Sequence, residues 1–561
     1  MANPSPNPTA AIEPLDVGDS GLSTQTEARW IWTFLIVGLT LRVVRYALRF
    51  PLWEDEAMLS ANYLDRGYLE LLRPLNYLQV VPPLFLWSQL SVIKLLGYTE
   101  YTLRLIPFLC GLGSLALFRH VAGRLLRGTA LVLAVALFAV SYLMTRYSAE
   151  AKPYGCDLLL TLVMLALVIE WLRARETGTR ENRWLWWLAA LVGPAVGFSF
   201  PTVFVAGGLS PLIAYVLWSS RRRGWIPWAV FNGLLVASFA AVMLLSRASV
   251  GQSNQNLMQQ NWSEAFPPMT QPLRLIVWLV ETHAGGMLGY PVGGPNWGST
   301  LSMLLALVGV VVLVRRRSGL VFAMLVAPLA LNFVAAAMHR FPYGGHARMT
   351  LFLAPAFCIL IALGIAGLLA LARPRRSSNP QSPIPNPPLL PAALALLLLL
   401  GTGSLLRDLT HPYKSGTVQR ARDFARWFWF NMSQEGELVC FETDLKQCLS
   451  TRSNTGWSSL YFCNQRIYSP RHARGFPPQF ARISADWPLR CAVYRSPREE
   501  HESPPPDPKV VEHWLEQMQL QYRLVSRDAY PFPAYDKADP RTQEAGVDHL
   551  EIYTFVPKGR N

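Results

Sequence analysis

The sequence predicts an all-α polytopic membrane domain of about 11–13 transmembrane helices, followed by a C-terminal extracytoplasmic α/β domain. Three observations predict this. Of 561 residues, 51% are hydrophobic and 16% charged, where soluble domains carry about a quarter charged residues. Apolar runs near membrane-spanning length recur from residue 30 to residue 406. Beyond 406 the charge density rises, Pro becomes frequent and no further span occurs.

The same composition excludes a disordered chain, a collagen-like repeat and a small disulfide scaffold. Mean hydropathy is +0.22, high for a soluble multidomain enzyme. The net charge of +15, from 51 Lys+Arg and 36 Asp+Glu, would suit nucleic acid. The basic residues, however, fall in short clusters between apolar runs, so no nucleic-acid partner is predicted.

The predicted spans are 30–48, 101–120, 129–146, 156–173, 184–200, 203–219, 226–246, 299–314, 319–338, 350–372 and 388–406. A twelfth run, 83–97, follows Pro82-Pro83 and ends at Gly97. As a helix it would be about 21 Å long against a hydrocarbon core of roughly 30 Å. It reads as a juxtamembrane or re-entrant helix, which keeps residues 50–80 on the face of the other outward loops.

Orientation follows from five arginine clusters: Arg119, Arg124 and Arg127; Arg173, Arg175, Arg180 and Arg183; Arg221–Arg223; Arg315–Arg317; and Arg373, Arg375 and Arg376. Neighbouring clusters are separated by two crossings, so all five face the cytoplasm together. The connections 147–155, 201–202, 247–298 and 339–349, and everything after 406, then face outward. Arg42 and Arg45 lie near the outward end of the first run, where they would snorkel.

Residues 1–29 are acidic and Pro-rich and lack the basic start of a cleaved signal peptide, so they read as a disordered cytoplasmic tail. Residues 30–406 form the membrane domain and 407–561 the soluble domain. Ser377–Pro388 reads as a Pro-rich linker. In the soluble domain Glu437–Glu442, Cys491–Tyr494 and Leu550–Phe555 have strand character and Val510–Leu520 helix character. Cys110, Cys156 and Cys358 read as packing residues. Cys440, Cys448, Cys463 and Cys491 fall in the outer domain, where at least one disulfide is expected.

Three polar motifs share the outward face. The first loop holds Trp53-Glu54-Asp55-Glu56, consecutive carboxylates suited to acid/base work. The second is Arg146-Tyr147-Ser148-Ala149-Glu150-Ala151-Lys152-Pro153-Tyr154. Interfacial belts explain its tyrosines, but a carboxylate near a bilayer is costly and calls for a partner. The third, His339–Arg348, combines two arginines, two histidines and Gly344-Gly345, a plausible anion site. Acid on one loop and cations on others suit a substrate hydroxyl that loses a proton and a phosphate that departs. One surface cavity is expected to gather the three motifs. A lipid-linked phosphate donor fits the location, with its tail in the bilayer.

At these residues the chain resembles the GT-C membrane glycosyltransferases of the protein O-mannosyltransferase and aminoarabinose transferase type. The resemblance spans residues 30–372. It rests on Asp55-Glu56, Pro82-Pro83-Leu84, the Tyr147–Tyr154 motif and Phe341–Gly345, with the second outward motif the most specific. It implies transfer of a sugar, hexosyl or pentosyl, from a polyprenyl-phosphate donor to an acceptor hydroxyl on a lipid, glycan or protein. It also implies catalysis on the outer face of a membrane, here expected to be the bacterial plasma (inner) membrane. By carry-over Asp55 is the catalytic base, with Glu56 beside it and Glu150 as second acidic site residue. Arg146, Lys152, Tyr154, Tyr343, His346 and Arg348 are the donor-phosphate residues. Relatives often carry His or Lys before Pro-Pro, whereas this chain has Val81.

No metal or cofactor is predicted, because the Asp-Glu loop offers oxygen ligands without a dedicated cluster. The competing reading is a transporter or flippase for an anionic or lipid-linked substrate. That function would place ionisable residues at the bilayer midplane in broken helices, whereas these motifs sit at span ends.

Overall fold

The structure is a computed structural model. It describes residues 13–17, 22–177, 181–219, 224–246, 262–292, 298–372, 389–426, 438–441, 463–464, 466–468, 489–495, 508–533 and 547–558. Arg180, Arg221–Arg223, the Arg373–Arg376 cluster, the Ser377–Pro388 linker and Cys448 lie outside these residues.

Nine described helices are long and apolar enough to cross a membrane: Thr24–Ala47 (α1), Glu100–Leu125 (α4), Tyr154–Arg175 within α7, Thr202–Ser219 (α9), Trp225–Leu245 within α10, Gly298–Arg315 (α12), Gly319–Ala337 (α13), Ala347–Leu371, which contains α14, and Leu389–Thr410 (α15). In full, α7 is Tyr154–Thr177, α10 is Trp225–Ser246 and α14 is Ala354–Leu371. The chain is an integral membrane protein. The remaining helices are shorter: Glu54–Ser60 (α2), Pro83–Leu96 (α3), Gly128–Val140 (α5), Tyr142–Tyr147 (α6), Asn182–Phe198 (α8), Pro272–Thr282 (α11), Gly416–Ala425 (α16) and Pro508–Gln521 (α17).

The chain divides into two compact units. One comprises Met1–Leu48, Val80–Ser88 and Arg104–Thr410; the other comprises Arg49–Gln79, Gln89–Leu103 and His411–Asn561. The second unit joins the first loop to the chain from His411 onward, whereas the sequence reading groups that loop with residues 30–406.

In the first unit the core is α5 and α14. Every residue of α5 is buried, and α14 is buried from Ala354 to Gly367 apart from Ile365. Helices apolar all round belong at the centre of a bundle. Helices α12 and α14 cross backbone to backbone: a Cβ on Gly364 would lie 1.9 Å from the Leu305 carbonyl, and one on Gly309 2.0 Å from that of Leu360. Close approach through small residues replaces the hydrophobic drive that lipid does not supply.

The predicted span 129–146 is two helices. α5 stops at Val140, Ser141 turns out of helical geometry (φ −59, ψ 118), and α6 resumes at Tyr142. Buried Arg42 stabilises the break by donating to the carbonyls of Gly38 (2.9 Å), Ala139 (3.1 Å) and Phe138 (3.5 Å). A cation on the last carbonyls of a helix satisfies orphan acceptors and complements its dipole. The Tyr142 N–H, freed by the break, donates to the Pro291 carbonyl at 2.9 Å. Arg45 pairs with Asp408 at 2.7 Å, with side chains 6% and 4% exposed. Neither arginine snorkels, because each finds its acceptors inside the bundle.

The expected disordered tail is ordered in part. Leu15 pairs with the 125–127 backbone through two hydrogen bonds, 2.8 and 3.0 Å. Val17 is buried, and Ser23 caps α1 through the Thr26 N–H. Glu27 accepts from the Gly128 N–H at 3.0 Å, where Gly128 turns through positive φ.

The second unit contains a four-stranded sheet of order β1-β2-β4-β3, from Leu438–Phe441, Leu489–Arg495, Tyr522–Pro533 and Val547–Pro557. The β1–β2 pair is parallel and the others antiparallel. Three of the strands and α17 coincide with the sequence signals; β3 was missed, because Ser, Arg, Asp and Pro interrupt its apolar alternation. Cys463 is a buried free thiol, so it takes no part in the expected disulfide.

Candidate active site

Asp55 sits in the first turn of α2, a seven-residue helix. Trp53, Glu54 and Asp55 are half-buried, while Glu56 is 2% exposed. The Glu56 carboxylate turns back to accept from the Trp53 N–H at 3.0 Å, closing a capping box. The two adjacent acids, equivalent in the sequence, are therefore different. Glu56 caps the helix, and Asp55 is half-buried in its first turn. Carboxylates in a first turn also complement the helix dipole.

The second motif occupies the junction of α6 and α7. Arg146 Nε donates to Glu150 at 2.8 Å, one helical turn away, with Glu150 7% exposed. This is the partner that a carboxylate near the bilayer calls for. Burial works to discharge the Arg146 guanidinium, and the Glu150 carboxylate overrides it, so the charge is retained. Lys152 is buried, and its N–H closes a tight turn onto the Glu150 carbonyl at 2.8 Å. Tyr147 and Tyr154 pack edge to face with centroids 5.3 Å apart. Gly111 makes room for this junction, since a Cβ there would lie 2.3 Å from that of Ser148.

The third motif closes against the same junction. The Arg348 and Arg146 guanidiniums both act on the Tyr147 phenol, opposing burial and Glu150, which together push it up to about 12. Gly344 and Gly345 adopt φ of +75 and +70; a Cβ would meet Thr282 at 2.3 Å and Ala265 at 2.9 Å respectively. Glycine is required there twice over, by backbone conformation and by space. The Tyr343 N–H donates to the Ala265 carbonyl at 2.9 Å. Arg348 lies over the Trp262 ring at 5.3 Å, and exposed His346 packs on the same indole at 5.0 Å.

In the first unit the fold therefore gathers Arg146, Glu150, Tyr147 and Arg348. Tyr343 is set apart from these cations: its hydroxyl donates to His283 Nε2 at 3.0 Å. His283 Nδ1 lies 2.6 Å from the Leu279 carbonyl, which fixes the tautomer. Burial pushes His283 below its ordinary range, so the ring is neutral at pH 7. Among the described residues no group of three or more His, Cys, Asp or Glu could hold a metal ion.

Residues 80–246 match the model of the dolichyl-phosphate-mannose-protein mannosyltransferase family. The chain is similar to the GT-C membrane glycosyltransferases. Pro82-Pro83-Leu84 and the Arg146–Tyr154 motif lie inside the matched segment, and Asp55-Glu56 and the 339–348 loop lie outside it. Among solved structures, ArnT from Cupriavidus metallidurans in the apo state aligns with a TM-score of 0.49 at 12% identity, covering 94% of this chain and 98% of that one. The same enzyme bound to undecaprenyl phosphate aligns at 0.47 and 14% identity, with the same coverage. The apo oligosaccharyltransferase of Archaeoglobus fulgidus aligns at 0.47 and 10% identity, covering 94% of this chain and 75% of that one. No curated protein sequence matches this chain.

Sequence reading of this GT-C-like chain missed two residues near these motifs. His283 lies in a single π-turn, His283–Met287, a geometry that recurs at functional sites. Asp157, 6% exposed, lies in the first turn of α7. A carboxylate inside an apolar run was the available signal. His283 gave none, because nothing in the sequence places it beside Tyr343, 60 residues away.

Proposed function

We propose that this protein transfers a sugar from a polyprenyl-phosphate-linked donor to an acceptor hydroxyl on the outer face of the membrane. The observation that carries the reading is the α6–α7 junction. There a buried carboxylate, paired with Arg146 and flanked by Lys152 and Arg348, lies within or beside the segment matching a lipid-phosphate-sugar transferase family. Asp55 accepts the acceptor's proton as its oxygen bonds to the anomeric carbon. The bond from that carbon to the phosphate oxygen breaks, and polyprenyl phosphate departs. Arg146, Lys152 and Arg348 stabilise the departing charge, with Tyr154 and His346 beside them. Glu56 holds the Asp55 helix, and Glu150 keeps Arg146 charged and aimed. Tyr343 orders its loop through His283.

The orientation that follows puts the arginine clusters in the cytoplasm and the motif loops and C-terminal domain outside, in a bacterial inner membrane. A transporter or flippase would use ionisable residues inside the spans. Here Arg42 and Arg45 are committed to backbone carbonyls and to Asp408, which favours a structural role for them.

The test is an assay of purified protein in detergent with a panel of polyprenyl-phosphate sugars, hexose and pentose, and mixed lipid, glycan and peptide acceptors. Release of free polyprenyl phosphate together with labelled acceptor is the expected result. Translocation of intact lipid-linked sugar in proteoliposomes, with no release, would replace this reading with the transporter.

A further inference from the structure

The second unit contains a hydrogen-bonded network, centred on buried Glu100, with no part in the chemistry above. The Glu100 carboxylate, 1% exposed, accepts from Arg49 at 2.7 Å and from the Tyr468 hydroxyl at 2.6 Å. Arg49 adopts a left-handed backbone, φ +49, which a non-glycine residue holds only when its surroundings over-determine it. Its side chain is fixed by Glu100, and its carbonyl accepts from Arg422. Arg49 is the turn that starts the short stretch into Trp53 and α2.

The far end of α2 is held in the same way. The Tyr98 hydroxyl donates to the Ser60 carbonyl at 3.0 Å and lies 3.1 Å from the Cys463 sulfur. The Cys463 thiol donates to the Ala57 carbonyl at 3.4 Å. Burial pushes this thiol up to about 12, so it remains a protonated donor. A seven-residue helix does not hold its shape alone. The direction of Asp55 therefore depends on what holds α2 and the stretch leading into it: Cys463 on the Ala57 carbonyl, and Tyr468 and Arg422 on Glu100 and Arg49 upstream, all three from the C-terminal domain.

We propose that Tyr468 and Cys463 are positioning residues for the Asp55 helix, so that the C-terminal domain acts in the reaction by aiming the base. The proposal rests on the reading of Asp55 as that base. It differs from a purely acceptor-binding role for the domain, because it ties named outer-domain side chains to the rate of proton transfer.

The test uses the full-length protein and two readouts. In hydrogen–deuterium exchange, Tyr468→Phe is expected to raise exchange of the peptide covering residues 53–60 about tenfold, the loss expected for a hydrogen bond to a charged carboxylate. Peptides covering 142–160 should be unchanged. In the transfer assay the same variant should lower kcat about tenfold with the donor KM unmoved. On the Asp55→Asn background it should produce no further fall. Cys463→Ser, which keeps a donor, should stay near wild type where Cys463→Ala loosens the same peptide; Glu100→Gln is a second variant with the wild-type shape. Unchanged exchange at 53–60 in Tyr468→Phe and Glu100→Gln would overturn the proposal. So would a full tenfold loss added on top of Asp55→Asn. If the wild-type protein transfers no sugar, the function reading fails, and the exchange result still decides whether these residues hold α2.

Discussion

Arg146 and Glu150 form an ion pair of 2.8 Å across one helical turn at the α6–α7 junction. The pair answers the question that the sequence poses, which is what partners a carboxylate beside a bilayer. Glu150→Gln leaves Arg146 without that charge. The expected destabilisation is about 2–3 kcal/mol, below the roughly 3–5 of a fully buried pair, because the Arg146 side chain is 21% exposed. Thermal unfolding of the purified variant measures it. An unchanged Tm would mean that the pair contributes nothing.

Asp55→Asn keeps the size of the side chain and removes the base. A rate loss of roughly 10²–10⁴-fold is expected, about 3–5 kcal/mol in the barrier, with normal expression. Lys152→Ala is expected to raise the donor KM and lower kcat together, since it acts on bound donor and leaving group. Steady-state kinetics with a polyprenyl-phosphate sugar separates the two. An Asp55→Asn variant at the unmodified rate would remove Asp55 from the mechanism.

Gly364→Val drives a side chain into the Leu305 carbonyl, where even a Cβ would stand at 1.9 Å. The helices α12 and α14 must part, and the folded yield should collapse. Gly403→Val, where a Cβ meets nothing within 4 Å, is the control and should fold normally. Monodispersity on size-exclusion chromatography reports both.

Arg45 and Asp408 should behave as a coupled pair. Arg45→Met and Asp408→Asn each strand a buried partner and should cost about 3–5 kcal/mol. The double variant should recover a substantial part of that loss, giving an interaction energy of about 1–3 kcal/mol. Strict additivity in thermal unfolding would show that the pair is not energetically real.

The orientation predicts that single cysteines at Arg316 and at position 183 label from the cytoplasmic side and that one at His346 labels from outside. A membrane-impermeant maleimide on intact and inverted vesicles reads this directly. Outside labelling at Arg316 would invert the topology.

Much of the fold was legible because hydropathy is local. Each apolar run carries its own transfer free energy, so nine of the eleven predicted spans appear as spanning helices, and the shift in character after residue 406 is followed by the sheet. The break at Ser141 was not legible. Residues 129–140 and 142–146 are apolar enough to read as one run. What ends α5 is Arg42, whose guanidinium reaches carbonyls 96 and 97 residues away. The need for a partner at Glu150 was legible, because a carboxylate at a span end is costly alone, and the structure supplies Arg146. The roles within Asp55-Glu56 were not, since only the fold of the chain around Trp53 makes Glu56 a cap.

The sequence by itself determined that this is a polytopic membrane protein with three polar motifs and a C-terminal segment of strand character. Those properties follow from residue type and short-range spacing, which set the energy of leaving water and the costs of buried charge. The tertiary structure decided which charges are paired, which acid caps a helix, and which distant loops lock together, as in Tyr343 with His283 and Tyr468 with Glu100. The physical reason is that a buried polar group in a low-dielectric interior must find its partner wherever the fold supplies one, and sequence separation places no bound on that distance.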